Sequence, residues 1–389
     1  MDAVIDFENC TRIPAELCDK FPTLCRIYPG DLVFTKGGSV ARIGLVTQEA
    51  AASRDLIFLN TSKLSQAERT FLYVYSQTAF FNRMLLRSSS QTAQPHLTIT
   101  LVRNLPALRA GNRFKEKCVE VVEQAFAARE KAIAKMNETE ATLTAALGLG
   151  NWQPPEPLTY TSRASEAFAI GRLDAEYFQP KYQALLARAR EHAARTRLVQ
   201  EFAVHCDRGE QPEYFDDGTL AVVTSKHILE TGLDYGNFDR TRDSYWTNRE
   251  FVAARIFKND ILTYTTGAKV GRTAVYLNDE RALASNHVNV LRLREENPIY
   301  VAVVMNSLIG RWQTRMIATG SAQVELYPND IKSFVIPFVD TATESAIVSA
   351  VRSAHTARAR ARELLERAKR AVEIAIEQDE KAALESLEK

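Results

Sequence analysis

The chain repeats itself, and this restricts its fold more than any other feature. Residues 29–46, PGDLVFTKGGSVARIGLV, align with 258–275, KNDILTYTTGAKVGRTAV. Asp31 falls on Asp260 and Gly38 on Gly267; after one inserted residue, Val40 falls on Val270 and Arg42 on Arg272. The match resumes downstream, where RMLLRSSSQ (83–91) lies over RMIATGSAQ (315–323), and each copy then runs on to a proline after an apolar stretch, Pro106 or Pro337. Soon after each proline comes a long stretch free of Pro and Gly and heavy in Ala, Glu, Arg and Lys. Self-similarity of this kind means one structural plan used twice. The plan is a mixed domain followed by a helix.

The two helical stretches carry a narrow apolar stripe. In the second, Ile347, Ala354, Ala361 and Ala368 recur every seven residues, with Leu364 and Ala371 beside them. The first holds Cys118, Val121, Ala125, Ala128 and Ala132 in the same rhythm. Heptad spacing predicts a helix–helix seam, and small alanines let the two backbones approach closely. The expected arrangement is an antiparallel coiled coil, with packing on Val121, Ala125, Ala128, Ala132, Ile347, Ala354, Ala361, Leu364 and Ala368. The run from Phe114 to Leu147 corresponds to about 50 Å of rod.

Between the copies, GLGNWQPPEPLTYTS (148–162) stops the first helix at Gly148 and continues as a proline-rich connector. The second mixed domain opens with a helix within 172–202. It then shows short β-like runs at 220–225, 261–266, 273–277 and 287–293, and helical spacing over 299–315. Strands and helices without regular βαβ alternation predict an α+β domain. The expected divisions are 1–112, 113–148, 149–170, 171–340 and 341–389. The copies are unequal: about 85 residues precede Asp260 in its domain, against 30 before Asp31, so the front of the first domain is either missing or supplied by another chain.

Composition narrows the function. Lys+Arg number 49 against 48 Asp+Glu, a net charge of +1, which excludes indiscriminate coating of nucleic acid or membrane because that rests on excess basic charge. No stretch approaches the roughly 20 apolar residues of a spanning helix, and the acidic start lacks a signal-peptide pattern, so a cytoplasmic chain without a membrane partner is expected. The five cysteines (Cys10, Cys18, Cys25, Cys118, Cys206) form no C-x2-C pair, and neither a disulfide framework nor a zinc site is expected.

Taken in order, Arg172–Pro180 (RLDAEYFQP), Asn259–Leu262, Gly267–Arg272, the strand from Asn286 to Leu293, and Gly320–Gln323 leading to Ile336-Pro337 resemble the specificity subunit of type I restriction–modification systems. The resemblance covers nearly all of 171–389 and, more weakly, 29–149. It implies a non-catalytic subunit with two target-recognition domains, the first truncated here. Each domain would read half of a split double-stranded DNA target. The helices would set the spacer, roughly 15 base pairs for a rod of this length. They would also dock adenine-specific methyltransferase subunits, with a motor-nuclease restriction subunit as a further partner in a phage-defence complex. It implies no cofactor in this chain, S-adenosylmethionine belonging to the partner methyltransferase. A rival from another class is a structural adaptor that joins proteins through the helical pair without reading DNA.

A duplex reader needs cations and hydroxyls for phosphates and planar or amide groups for base edges. Within 240–258, Arg240, Arg242, Arg249, Arg255 and Lys258 face only Asp243 and Glu250, with Tyr245 and Trp246 among them. This suits groove contact, and equally a solvated loop over a core Trp. The loop Thr265–Arg272 brings Thr266, Lys269 and Arg272 around two glycines, suited to phosphate or simply to a hairpin turn. Thr224, Ser225, Lys226 and His227 follow one strand, and Ser285, Asn286 and His287 precede another. Gln323 could pair with adenine N6 and N7. The helical segment 352–370 is basic and the tail acidic; either is a solvated face, or the one follows phosphates and the other docks a protein.

Enzymatic patterns are weak. Asn151–Glu156 (NWQPPE) misses the Asn/Asp-Pro-Pro-aromatic loop of an adenine methyltransferase. The six histidines show no ligand spacing, and Asp260 with Glu280 and Lys269 reads better as a structural turn, because its mate Asp31 does the same. No catalytic residue and no metal are expected.

Overall fold

The computed structural model describes the chain except residues 1–4, 6, 8, 9, 22, 37–41, 89–96, 321, 322 and 389, and nothing is described of the Ser88 side chain. Gly38 and Val40 of the repeat, and Ser321 and Ala322, lie outside the described residues. The chain divides into two compact units, residues 1–130 with 357–389, and residues 131–356.

Through the first unit run α1 (Glu16–Lys20), β1 (Cys25–Ile27), β2 (Leu32–Thr35), β3 (Ile43–Leu45), β4 (Ala50–Ala52), β5 (Leu56–Leu59), α2 (Gln66–Ser76), α3 (Ala79–Ser88), α4 (Ile99–Arg103) and the start of α5 (Asn112–Ala146). The next stretch holds α6 (Ala164–Ile170), α7 (Pro180–His192), β6 (Arg195–Leu198), β7 (Ala203–Arg208), β8 (Leu220–Val223), β9 (Ile228–Leu229), β10 (Gly232–Leu233), β11 (Asp239–Thr241), α8 (Ser244–Thr247), β12 (Arg255–Ile256) and β13 (Ile261–Tyr264). Then come β14 (Thr273–Val275), β15 (Ala282–Ala284), β16 (Val288–Leu293), α9 (Pro298–Asn306), α10 (Leu308–Ile317), α11 (Pro328–Lys332), β17 (Val335–Phe338), α12 (Thr341–Glu377) and α13 (Glu380–Glu388). The fold is α+β, with one long helix after each mixed region.

The repeat holds down to single backbone bonds. Gly30 and Asn259 both take left-handed φ, 96° and 73°, in the tight turn that enters β2 and β13. At each turn the aspartate side chain accepts the N–H of the residue three before it, Tyr28 at 2.9 Å for Asp31 and Phe257 at 2.8 Å for Asp260. Gly30 N–H donates to Val46 O, as Asn259 N–H does to Tyr276 O, and Val46 N–H returns to Asp31 O, as Tyr276 N–H does to Asp260 O. Strand register repeats as well. Leu32 pairs with Leu45 and Leu59, and Ile261 with Val275 and Leu291. Ile27 pairs with Ala50, and Ile256 with Ala282. A turn acid serving the same donors in both copies is a structural group, as the shared spacing predicts.

In the second unit β14-β13-β16-β7 and β11-β8-β15-β12 form two four-stranded sheets. Ala221, Val223, Ile256, Leu262, Tyr276, Ala284, Val288 and Val290 fill the space between them. Alternation along each strand decides the faces. Leu262 and Val290 point to this layer, whereas Ile261 and Leu291 join the helical core with Leu185, Tyr300 and Phe338. The first unit has the smaller version: Ile27, Val33, Val46 and Ala52 between its sheets, and Leu32, Phe34 and Ile57 against its helices.

Two sequence expectations change. The span 299–315 is two helices, because Ser307, with φ −69° and ψ 176°, leaves helical geometry and caps α10 through its hydroxyl on Ile309 N–H. Within 172–202 the helix begins at Pro180, which sits at the first helical position where its missing N–H costs nothing. The last helix breaks at Gln378–Asp379, where the Asp379 carboxylate accepts Ala382 N–H at 2.8 Å and starts α13. The acidic tail is used inside its own unit: Glu380 accepts Gly111 N–H at 2.8 Å, Glu373 accepts Ala79 N–H at 3.1 Å, and Ala383 and Leu387 are buried.

On the long helices, Val121 and Ala125 share the first unit's core with Leu364 and Ala368, and Leu143 and Leu147 share the second unit's core with Ile347. Ala132, Ala354 and Ala361 are buried, and Ala128 is half-buried.

Candidate nucleic-acid interface

Sheet topology gathers five segments of the second unit at one rim. Strands β8 and β15 are parallel, with Ala282 opposite Ala221 and Ala284 opposite Val223, so Thr224–His227 and Ser285–His287 emerge at the same end. Because β13 runs antiparallel to β16 with Tyr264 opposite Val288, the 265–272 loop lies beside the 285–287 segment. Backbone bonds tie the rim together. Ser285 N–H donates to Val223 O at 3.0 Å, Thr265 N–H to His287 O at 3.0 Å, Glu210 N–H to Ala284 O at 3.1 Å, and Gly267 N–H to Val324 O at 2.9 Å. Thr266 bridges to Glu325, which brings in the segment after Gln323.

Of the residues singled out from sequence, Lys226, Lys269, His287 and Gln323 are exposed on this rim, and Thr224, Ser225, Asn286 and Arg272 are half-buried. Ser285 and Thr266 are buried at 2% and 4%, and Thr266 meets the Thr265 hydroxyl at 3.5 Å, so neither hydroxyl is presented outward. His227 is 1% exposed. Its Nδ1 accepts the Thr224 N–H at 2.9 Å and its ring lies 5.3 Å from Phe238, while burial holds its pKa below the ordinary value. It is a neutral, packed histidine that shapes the turn, a correction to its reading as a base contact.

Two of the expected phosphate cations are occupied. Lys226 pairs with Asp239 at 2.7 Å and Arg272 with Glu230 at 2.7 Å. Lys269 forms no ion pair among the described residues. Asn286 Oδ1 is buried with no hydrogen-bond donor among the described residues, an acceptor that a polar ligand at the rim would satisfy.

The basic aromatic segment is elsewhere. Strand β11 is antiparallel to β8, with Thr241 opposite Leu220, so the chain from Arg242 onward lies at the opposite end of the sheet. Arg240 donates to Thr219 O at 3.1 Å, and Arg242 stacks 3.9 Å over Phe215. Tyr245 lies 5.0 Å from Phe251 and Trp246 5.5 Å from Phe257, both half-buried on the outer sheet face with Leu220 and Leu283. Trp246 also carries Arg255 and Arg281, each 5.5 Å from its ring. The single face expected from sequence is therefore corrected to two places, with the aromatics serving as packing.

Sequence reasoning missed Arg208, which ends β7 on the rim. Its guanidinium donates to Leu326 O at 3.2 Å and lies 4.7 Å over the Tyr327 ring. The signal was the strand-ending Arg208-Gly209 pair, hidden because no strand was assigned to 203–208. Among the described residues no group of three or more His, Cys, Asp or Glu could hold a metal, and no helix is long and apolar enough to cross a membrane.

No protein-family profile matches the chain, and no curated protein matches it. Solved structures do. The chain is similar to the type I restriction–modification S subunit from M. genitalium at 11% identity and a TM-score of 0.38, over 94% of this chain and 84% of that one. It is also similar to the HsdS subunit from Thermoanaerobacter tengcongensis at 17% identity and a TM-score of 0.30, over 93% of this chain and 81% of that one. A structure described as underlying complex assembly and conformational transition of the type I R-M system matches at 16% identity and a TM-score of 0.32, over 89% and 81%.

Proposed function

We propose that this chain is a sequence-specific DNA-recognition subunit of a type I restriction–modification or related defence complex, non-catalytic itself, that directs adenine methyltransferase and restriction subunits to a bipartite target. The observation that carries the proposal is the rim of the second unit, where parallel and antiparallel strand ends present Lys269, His287 and Gln323 beside the unsatisfied Asn286 Oδ1. Cations hold phosphates in register, and amide and imidazole groups discriminate base edges. S-adenosylmethionine would belong to the methyltransferase. Selection from randomised duplexes tests the reading: enrichment of a defined half-site is expected, and no enrichment at low salt overturns it. One observation favours the adaptor reading for the first unit alone. Among the described residues it has no counterpart of β8 and the loop that follows it, and so no counterpart of that part of the rim. On that reading a single half-site is selected.

A further inference from the structure

We propose that Arg208 reads a guanine at the rim, donating to the base edge from a guanidinium that Leu326, Tyr327 and Glu325 hold in place, a contact that rests on the second unit being a DNA reader. The backbone beneath it is fixed. Arg208 ends β7 opposite Asn289 of β16, and just beyond it Gly209 N–H donates to Val288 O at 2.8 Å. Its Nη2 donates to Leu326 O at 3.2 Å and lies 3.5 Å from a Glu325 carboxylate oxygen, while the guanidinium carbon stands 4.7 Å over the Tyr327 ring. These holders are anchored in turn. Leu326 N–H donates to Thr265 O at 2.9 Å, and Glu325 exchanges backbone bonds with Thr319 at 2.7 and 3.0 Å.

What the fork lacks is acceptors. Nη1 has none among the described residues, and Nε is buried without one. The side chain is 26% exposed, so a guanidinium already ordered by its neighbours keeps an open donor edge at the rim. Binding there loses little conformational freedom. Charge then separates a base from a phosphate. Hydrogen bonding from the Tyr327 hydroxyl, with the nearby charges of Arg208 and His287, holds the Glu325 pKa below its ordinary value against the opposing effect of burial. Glu325 is therefore ionised at neutral pH. A carboxylate this close offsets the guanidinium charge at a distance and repels phosphate, whereas a direct hydrogen bond to a base edge is kept. Guanine is the base that fits a group with donors alone: its O6 and N7 are adjacent acceptors in the major groove, where adenine sets the N6 donor beside N7.

The test selects half-sites from randomised duplexes with the full chain, then titrates them at several salt concentrations. Wild type is expected to enrich a half-site holding a guanine whose replacement weakens binding about tenfold or more. The paired substitution Arg208→Gln with Glu325→Gln removes one charge of each sign and so leaves net charge unchanged. It should abolish the preference at that one position, with the other positions and the slope of log affinity against log salt as in wild type. Tyr327→Ala takes away the ring under the guanidinium from an exposed site, where the fold does not depend on it, and should relax the same position. Three results overturn the guanine contact while leaving the half-site reading intact: a half-site without such a guanine, either variant folded with the preference kept, or affinity lowered alike on every duplex, with or without a slope reduced by about one. A wild-type chain that enriches no half-site overturns both.

Discussion

Arg292 grips Asp260 with both arms, Nε to Oδ1 at 2.8 Å and a terminal nitrogen to Oδ2 at 2.7 Å. Asp260 is 1% exposed and also accepts Phe257 N–H, so the pair ties β16 to the turn that starts β13. Bidentate geometry is specific to the guanidinium fork. Arg292→Lys is therefore expected to destabilise the protein nearly as much as Arg292→Ala. Each should lose about 1–3 kcal/mol, the penalty for a buried group deprived of its partner. Urea unfolding at neutral pH measures it, and a Lys variant at wild-type stability would refute the fork argument.

Glu296 predicts how stability changes with acid. Its side chain is 6% exposed and meets Arg195 at 2.7 Å and Arg197 at 2.6 Å. Hydrogen bonding from Arg195, then from Arg197, holds its pKa below the ordinary 4.5 against the opposing effect of burial. A carboxylate with a depressed folded-state pKa stabilises the fold above its unfolded pKa and loses that contribution as pH falls through the folded value. Glu296→Gln should therefore lower the unfolding midpoint at pH 7, and the gap from wild type should close below about pH 4. A gap that stays constant to pH 3 would contradict it.

The repeat made much of the fold legible. Asp31 and Asp260, three residues past a donor and one past a left-handed residue, mark the same turn in any alignment, and alanine at heptad spacing marks the long helices. What stayed hidden has a physical reason. Strands β9, β10 and β12 have two residues each, too short for alternation to register, and β7 mixes His, Cys, Asp and Arg because one of its faces is open to solvent. Without β7 in view, Arg208 could not be placed on the rim. Chain position also misled. Arg240–Trp246 is rich in cations and rings, and only the antiparallel pairing of β11 with β8 sends it to the far end.

Gly209 makes the rim sensitive to a single methyl group. A Cβ there would meet Ala284 O at 2.2 Å and Ser285 O at 2.5 Å, both backbone atoms that cannot swing aside. Gly209→Ala is expected to cost about 1–3 kcal/mol through overpacking. Hydrogen exchange should show the loss at Glu210 and Ser285, whose N–H groups close this corner. Faster exchange confined to other strands would point to a different cause.

The two places that sequence treated as one face should separate in DNA binding. Lys269 is an exposed rim cation with no carboxylate partner among the described residues. If it holds a phosphate, Lys269→Ala weakens binding on every duplex alike and lowers the slope of log affinity against log salt by about one. Gln323→Ala, by contrast, should relax the preference for a base at one position and leave the slope unchanged. Trp246→Ala removes a half-buried ring from Phe257, Arg255 and Arg281 at the other end of the sheet. It should lower stability by about 1–3 kcal/mol as lost packing and leave both slope and selectivity as in wild type. Titrations at several salt concentrations with each variant distinguish these outcomes. A salt slope that changes with Trp246→Ala but not with Lys269→Ala would move the interface to the opposite end.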